Sequence, residues 1–163
     1  MPSKKSKPIV ILDVANLKSV KSFSADFPNV SKHLVSGKIK TASGGEKFNK
    51  EMEHAASFIP LFIELAKANL VVKVPNCKAD EESKRFQQLI STSIKRKVSE
   101  CDDPHIFSLL KLTNSKTVVS FDKRIAECKK CLRKSSIKNS EFANARLVKC
   151  DKNYLKLFNA SKI

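Results

Sequence analysis

Three aspartates stand at positions where a parallel α/β sheet would bring them together. Asp13 closes an apolar run at 8–12. Asp122 follows a second apolar run at 117–121, and Asp103 begins the helix that leads into that run. In a parallel sheet the carboxyl ends of the strands meet at one edge, and helices that begin there face the same crevice. Carboxylates that lie close together repel one another unless a cation binds between them. Hard divalent ions prefer oxygen ligands. The sequence therefore predicts a metal site suited to phosphate chemistry.

Each aspartate also has a structural interpretation. Asp103 precedes Pro104, and an acidic residue before a proline at the first helical position is a typical helix N-cap. Asp122 could cap a short helix after it in the same way. No helix signature follows Asp13 directly, although Asp13 and Asn16 could form a turn. The metal-site prediction therefore depends on the acids occurring together.

Strands and helices must alternate to position these acids. The apolar runs at 8–12, 70–74 and 117–121 are typical of buried strands, and 146–150 is the candidate for a last strand. In the stretch 18–45, Pro28 is expected to begin a helix and Gly37, Gly44 and Gly45 are expected in turns, but the rest gives no clear pattern. The alternation favours an α/β fold with a mainly parallel sheet and helices on both faces.

Helical patterns separate these strands. From Glu46 onward, apolar residues recur at three- and four-residue steps, and Pro60 is expected to kink or split this helix. An amphipathic helix is predicted over 81–98, and another begins at Pro104. The residues expected to face the core from the first of these helices are Met52, Ala55, Ala56, Ile59, Phe62, Ile63 and Ala66.

The chain is strongly basic. Its 163 residues include 32 Lys and Arg against 16 Asp and Glu, which gives a formal charge of +16 and a pI near 9.8. Such a surface attracts phosphate, so nucleic acid is favoured over an acidic protein or an anionic membrane as the partner. The basic residues expected to contact nucleic acid are Lys47, Lys84, Arg85, Lys95, Arg96, Lys97, Lys123 and Arg124.

The length predicts one domain, with residues 1–7 as a basic tail and residues 8–163 as the domain itself. No run approaches the roughly 18 apolar residues of a membrane span, and residues 1–8 lack the apolar run of a signal peptide. We therefore expect a cytoplasmic protein that does not engage a membrane.

Cysteines and histidines suggest no second metal site. Five cysteines are an odd number, which favours free thiols. A zinc site is the alternative, because Cys128 and Cys131 have CxxC spacing, but Cys101 and Cys150 would have to complete it from a distance. The histidines, His33, His54 and His105, are not spaced for a zinc cluster or a general-base pair.

Taken in order, these motifs resemble a PIN domain. The resemblance rests on a strand that ends in Asp13 with Asn16 behind it, an acidic helix, residues 102–106 and residues 118–123. It covers nearly the whole chain. It implies a three-layer α/β/α fold with a central, mainly parallel sheet and a metal-dependent ribonuclease activity, as in toxins of bacterial toxin–antitoxin pairs and enzymes of RNA processing and decay.

The resemblance also implies roles for individual acids. Asp13 looks like the family's first metal ligand, Asp103 like the third and Asp122 like the fourth. Glu51, near the start of the long helix, looks like the second. If the register is shifted by one residue, Asp102 takes the place of Asp103.

Other positions carry supporting roles or alternatives. Glu46 and Glu53 compete with Glu51 for the second acid, and the alternative for all three is a solvated helix face. Asn16 stands where a polar residue often supports the first acid. Ser120 stands where a hydroxyl residue often precedes the fourth acid by two.

The implied activity is an endoribonuclease in which Mg²⁺ or Mn²⁺, held by carboxylates, activates water to hydrolyse RNA phosphodiester bonds. Single-stranded RNA is the expected substrate, and an antitoxin, another regulatory protein or a second copy of the chain are further expected partners. Three alternatives stay open: a catalytically silent PIN-like module for RNA binding or assembly, a structure-specific DNA nuclease, and a protein whose charge only matches an acidic partner.

Overall fold

The computed structural model describes residues 5–93, 103–122, 124–127 and 145–161. Its strands are β1 (Val10–Leu12), β2 (Thr41–Ser43), β3 (Val71–Lys73), β4 (Thr117–Val119) and β5 (Arg146–Val148). All pairings are parallel: β1 with β4, β4 with β5, and β2 with β3. Backbone bonds between Val10 and Lys40 and between Lys40 and Pro8 join β1 to the segment before β2. The strands therefore follow the order β3-β2-β1-β4-β5.

This strand order changes direction between β1 and β4. From β1 the chain moves outward to β2 and β3, and it then returns to the other side of β1 to form β4 and β5. Open parallel sheets bind ligands in the crevice beyond the carboxyl ends of their strands at such a switch point. Asp13 directly follows β1 there, and Ser120 directly follows β4.

Helices fill the connections between the strands. The first three, between β1 and β2, are α1 (Val14–Leu17), α2 (Val20–Asp26) and α3 (Pro28–Val35). The next two, between β2 and β3, are α4 (Glu46–His54) and α5 (Phe58–Lys67). The helices before β4 are α6 (Asn76–Ser93) and α7 (Pro104–Thr113); residues 124–127 are also helical, and α8 (Asp151–Ser161) follows β5.

The helices cover the sheet in layers. Helix α7 packs on β1, β2 and β4, and α6 packs along α7. Helix α8 contacts both α3 and β5. Because parallel crossovers are right-handed, the outward and the returning connections place their helices on opposite faces of the sheet. The predicted α/β fold with three α/β/α layers and a parallel sheet is confirmed.

Aromatic side chains dominate the core below α2, α4 and α5. Phe23, Phe27, Phe48 and Phe58 are fully buried, and Phe23 contacts both Phe27 and Phe58 at ring distances of 6.2 and 5.9 Å. Full burial of one such side chain stabilises a fold by about 1.5–3 kcal/mol. Phe48 lies on α4, the helix that carries Glu51, and Phe58 lies on α5, so both helices are anchored in the core by these rings.

A two-glycine turn sets the start of α4. Gly44 has φ +148°, and a side-chain carbon added to it would lie 2.3 Å from the carbonyl oxygen of Val74, so only glycine fits. The N–H of Gly45 then donates to Asn76 Oδ1 at 2.9 Å, and the N–H of Glu46 donates to Asp80 Oδ1 at 2.8 Å. Helix α6 thereby caps α4 and fixes the helix that carries Glu51.

Four predicted strands are confirmed as β1, β3, β4 and β5, each three residues long. The remaining strand, β2, was not predicted, because Thr41, Ala42 and Ser43 form a short run with little apolar character. Helix α3 begins at Pro28 as predicted, whereas α2, in the same stretch 18–45, was not predicted. Helix α8 was not predicted either.

The predicted long helix from Glu46 is split, but not by its proline. The break lies between His54 and Phe58, and Pro60 stands in the first turn of α5, where its missing N–H has no helical partner to lose. The predicted set of core-facing residues is partly wrong. It assumed one continuous helical repeat, and that repeat is interrupted between α4 and α5. Ile59 and Ile63 are 39% and 50% exposed.

The predicted helix at 81–98 begins earlier, at Asn76, and is described up to Ser93. Helix α7 begins with Pro104 as predicted. Among the described residues, no helix combines the length and the apolar character needed to cross a membrane.

Candidate metal centre

Asp13 is a buried carboxylate at the switch point of the sheet. Only 1% of the residue is exposed. Its Oδ2 accepts hydrogen bonds from Ser120 Oγ at 2.6 Å and from Asn16 Nδ2 at 2.7 Å. Its Oδ1 is also buried, and no residue in the described part of the chain donates to it. One oxygen is thus fixed by the protein, while the other is buried without a hydrogen-bond partner among the described residues.

The surroundings of Asp13 oppose its ionisation. Burial raises the pKa of its carboxyl above the ordinary value, against the hydrogen bonds from Ser120 and Asn16, which lower the pKa. The negative charge of Glu51 raises the pKa further, and His105 lowers it. A cation between these groups would remove most of this cost, because it stabilises the ionised form.

Glu51, Asp103 and His105 form a compact cluster beside Asp13. One potential ligand atom from each residue lies within 4.8 Å of those of the other two. His105 Nε2 lies 2.9 Å from Glu51 Oε2, and the Lys47 ammonium lies 3.6 Å from Asp103 Oδ1. Asp103 and His105 are 5% and 3% exposed. The cluster joins α4 to the first turn of α7.

Asp122 extends this group of acids along the end of β4. Ser120 Oγ, which donates to Asp13, also accepts the backbone N–H of Asp122 at 2.9 Å. Burial opposes ionisation of Asp122, but hydrogen bonds and the positive charge from Arg124, together with a side-chain hydrogen bond with Asp103, bring its pKa below the ordinary value. Asp122 is therefore linked to Asp13 through Ser120 and to the cluster through Asp103.

Of the four acids predicted to bind metal, Glu51 and Asp103 lie in this cluster. Asp13 is near enough to Glu51 for the charge of Glu51 to raise its pKa, and Asp122 is hydrogen-bonded to Asp103, but neither belongs to the group of described residues whose ligand atoms lie within 4.8 Å of one another. The two predicted supporting residues, Asn16 and Ser120, both contact Asp13. The alternatives to Glu51 lie away from this cluster. Glu46 and Glu53 are exposed, and Glu46 pairs with Lys50 at 2.8 Å. Asp102 lies outside the described residues.

The capping interpretation, made for Asp103 and Asp122, fails for Asp103. Asp13 and Asp103 occupy the N-cap positions of α1 and α7, yet neither side chain makes a capping bond. A short helix does follow Asp13, contrary to expectation. Asp122 does cap, because its Oδ1 accepts the N–H of Arg124 at 2.9 Å. Helix capping therefore explains neither Asp13 nor Asp103.

Some of the predicted nucleic-acid contacts lie near this centre. Lys47 contacts Asp103, and Arg124 contacts Asp122 at 3.0 Å. Lys84 is exposed on α6; the pKa of the Glu46 carboxyl is lowered by the hydrogen bond and charge of Lys50 and, less strongly, by the charge of Lys84. Arg85 is bonded to Glu82 and lies over the ring of Phe86. The remaining predicted contacts, Lys95, Arg96, Lys97 and Lys123, lie outside the described residues.

The zinc alternative also falls largely outside the described residues, which exclude Cys101, Cys128 and Cys131. Cys77 and Cys150 are exposed free thiols. His33, one of the histidines without an assigned role, is buried and its Nδ1 lies 2.7 Å from the Tyr154 hydroxyl. His33 therefore joins α3 to α8 and belongs to the core.

His105 is the residue that the sequence reasoning missed. The spacing of the histidines gave it no role, yet its Nε2 lies 2.9 Å from Glu51 Oε2. The available signal was its place directly after Asp103 and Pro104, because a residue in the first turn of a helix at this sheet edge faces the same crevice as the acids. Its other nitrogen, Nδ1, is buried and receives no bond from the described residues.

Comparisons of the chain with protein-family models, with curated proteins and with solved structures gave no match.

Proposed function

We propose that this protein is a divalent-metal-dependent nuclease of the PIN type that hydrolyses RNA. The observation that carries the proposal is the placement of Asp13 at the switch point, with Oδ1 buried and without a described partner, beside Glu51, Asp103 and His105. Burying a carboxylate in this way is costly unless a charged partner completes the site. A cation that carries catalysis is such a partner.

The residues fit a divalent ion. Glu51 and Asp103 would hold it, and the further acids would be Asp13, through its unpartnered oxygen, and Asp122 next to Asp103. A bound Mg²⁺ or Mn²⁺ lowers the pKa of coordinated water and offsets negative charge on the scissile phosphate. Residues of the chain itself would orient the acids and supply positive charge for the phosphate.

The chain holds its acids with a defined set of donors. Ser120 and Asn16 fix one oxygen of Asp13, so the other keeps a constant direction. Arg124 binds both oxygens of Asp122 through Nε at 3.1 Å, which keeps that carboxylate ionised and oriented. Lys47, about half exposed beside Asp103, supplies positive charge at the rim where a phosphate would approach.

Single-stranded RNA is the substrate that the surface favours. The formal charge of +16 offsets the repulsion between the acids and phosphate. Phe121, directly before Asp122, is 43% exposed and packs against the ring of Phe27 at 5.0 Å. An exposed and supported aromatic ring next to the acids can stack on an unpaired base. We place this activity in the cytoplasm, under the control of an antitoxin-like or other regulatory protein.

The test is cleavage of end-labelled single-stranded RNA with Mn²⁺, Mg²⁺ or EDTA. Glu51→Gln should lower the cleavage rate by about a thousandfold, because several kcal/mol of charge stabilisation are lost. Glu46→Gln is the matched control on the same helix, and we expect it to cleave like the wild type. The products should carry 5′-phosphates, and RNA with one 2′-deoxyribose at the cut site should still be cut, because water rather than the ribose hydroxyl attacks.

Other outcomes separate the alternatives. Salt-sensitive RNA binding without cleavage under any metal would contradict the nuclease and support a silent RNA-binding module. Preferential cleavage of branched or flapped DNA would support a structure-specific DNA nuclease. Absence of salt-sensitive binding to either nucleic acid would leave an acidic partner as the explanation for the charge.

A further inference from the structure

We propose that His105 is a metal ligand through Nε2, so that the centre is a mixed nitrogen and oxygen site that prefers Mn²⁺ or another divalent transition metal to Mg²⁺. This inference rests on the metal site of the proposed function and narrows it. The four acids alone form an all-oxygen set, which suits Mg²⁺ as well as Mn²⁺. An imidazole among the ligands changes that preference.

The distances fit ligation. Two ligands at right angles around an octahedral ion, each bound at about 2.1 Å, are about 3.0 Å apart, and opposite ligands are about 4.2 Å apart. His105 Nε2 and Glu51 Oε2 are separated by 2.9 Å, and the three ligand atoms of Glu51, Asp103 and His105 lie within 4.8 Å of one another. A single ion can therefore touch all three with only small side-chain shifts.

The buried position of His105 limits the orientations that its imidazole ring can adopt. It is the second residue of α7, after Pro104, and 3% of it is exposed. The hydroxyl of Ser108 donates to the carbonyl of His105 at 2.8 Å, and α7 packs on β1, β2 and β4. The imidazole cannot turn into solvent, so an ion bound by Glu51 and Asp103 would meet Nε2.

A second observation makes this more than a chance group of acids. The buried Oδ1 of Asp13 has no partner among the described residues, and Asp13 is close enough to both Glu51 and His105 for their charges to affect it. Asp13 would add a further oxygen to the same ion. Imidazole ligands suit iron, nickel, copper and zinc, and Mn²⁺ belongs to the same series of transition metals that bind nitrogen and oxygen sites, whereas Mg²⁺ keeps to oxygen and water.

The direct test is electron paramagnetic resonance of Mn²⁺ bound to the full chain, with pulsed detection of nitrogen coupling. We expect an imidazole nitrogen signal that changes when histidine is labelled with ¹⁵N. The signal should persist in His54→Gln, a control at an exposed histidine on α4, and disappear in His105→Gln, which puts an amide oxygen or nitrogen at similar reach, and in His105→Phe.

Metal affinity measured by calorimetry provides a second readout. Wild type should bind Mn²⁺ at least about tenfold more tightly than Mg²⁺, and His105→Gln should lose most of that preference while it still binds both ions. No histidine nitrogen coupling in the wild type, with Mn²⁺ bound at the acids, would overturn the inference and leave His105 as a hydrogen-bond donor to Glu51. Because the nitrogen-coupling measurement on wild type needs no variant, its result decides the matter even if a variant does not fold.

Failure of the inference and failure of the proposed function give different results. RNA cleavage without nitrogen coupling would reject His105 as a ligand and leave the nuclease standing. Nitrogen coupling without cleavage of any nucleic acid would establish the mixed-ligand centre and reject the nuclease.

Discussion

Asp13 and Asp151 illustrate two ways in which this fold uses a carboxylate at the start of a helix. Asp151 begins α8, and its Oδ1 accepts the N–H groups of Asn29 and Val30 at 2.9 and 3.4 Å. Its Oδ2 accepts Asn29 Nδ2 at 2.5 Å. Both oxygens therefore serve the fold. At Asp13, only Oδ2 does so.

The difference follows the position in the sheet. Away from the switch point, acids and amides complete helix ends: Asp151 caps α3, whose own N-cap residue is Phe27, and Asn76 and Asp80 cap α4. At the switch point, Asp13 and Asp103 stand at N-cap positions and leave α1 and α7 without a side-chain cap. A fold selected only for stability would use these carboxylates as caps, which contribute about 1 kcal/mol each. Under the proposed function, these carboxylates are kept for a metal ion instead.

The largest effect on stability is expected at Asp151. Asp151→Asn places an amide N–H₂ against the donors of Asn29, so at least one partly buried hydrogen bond is lost and two donors face each other. We expect a loss of about 2 kcal/mol, or roughly 4–8 °C in melting temperature. RNA cleavage should stay intact at temperatures below the transition. If Asp151→Asn and wild type have the same free energy of unfolding in chemical denaturation, this carboxylate is not a structural cap.

The same substitution at Asp13 should raise the stability of the metal-free protein instead of lowering it. Asp13→Asn keeps one oxygen for Ser120 and Asn16 and removes a buried charge, so the metal-free protein should gain about 1 kcal/mol. Cleavage should be lost, because a metal ligand is gone. Denaturant unfolding in EDTA measures the gain, and destabilisation equal to that of Asp151→Asn would mean that Asp13 is structural as well.

The pH dependence of stability should distinguish the same two variants. The folded-state pKa of Asp13 is raised above its unfolded value, so the folded protein binds the extra proton and wild type gains stability as pH falls through that interval. The advantage of Asp13→Asn over wild type should therefore be greatest near neutral pH and shrink toward pH 4. Unfolding curves in EDTA across this range provide the measurement, with Asp151→Asn as the comparison. A constant advantage at every pH would contradict the raised pKa.

The smallest effect on stability is expected for Lys47, which lies at the exposed edge of the acidic site. Lys47 is 45% exposed and 3.6 Å from Asp103, and such pairs contribute about 0–1 kcal/mol. Lys47→Gln should therefore leave stability almost unchanged but weaken RNA binding and reduce its dependence on salt concentration. Filter binding at several salt concentrations measures both. An unchanged salt dependence would place the phosphate contacts elsewhere.

The sequence located the acids better than it located the supporting structure. Asp13 and Asp122 were predictable because apolar strands end beside them, and Asp103 because an acid followed by proline begins a helix. Glu51 was harder to choose, because Glu46 and Glu53 lie on the same helix and its orientation depends on the Gly44 turn and on the contacts of α6.

Other features depend on tertiary contacts that leave little trace in the sequence. The strand Thr41–Ser43 carries few apolar residues, and its pairing with β3 defines it. Helix α8 is held by Asp151 and Tyr154 against α3, more than 120 residues away in the chain. His105 was overlooked because one histidine has no spacing pattern to interpret.

The most direct test of the central claim, that the acids at the switch point hold a divalent cation, is thermal unfolding during a titration with Mn²⁺. Wild type and Asp151→Asn should gain the same stabilisation from their different starting points, about 2.7 kcal/mol at a hundred times the dissociation constant. Asp13→Asn should gain much less. If Asp13→Asn is stabilised by Mn²⁺ as much as wild type, the cation does not bind at this carboxylate and the account is wrong.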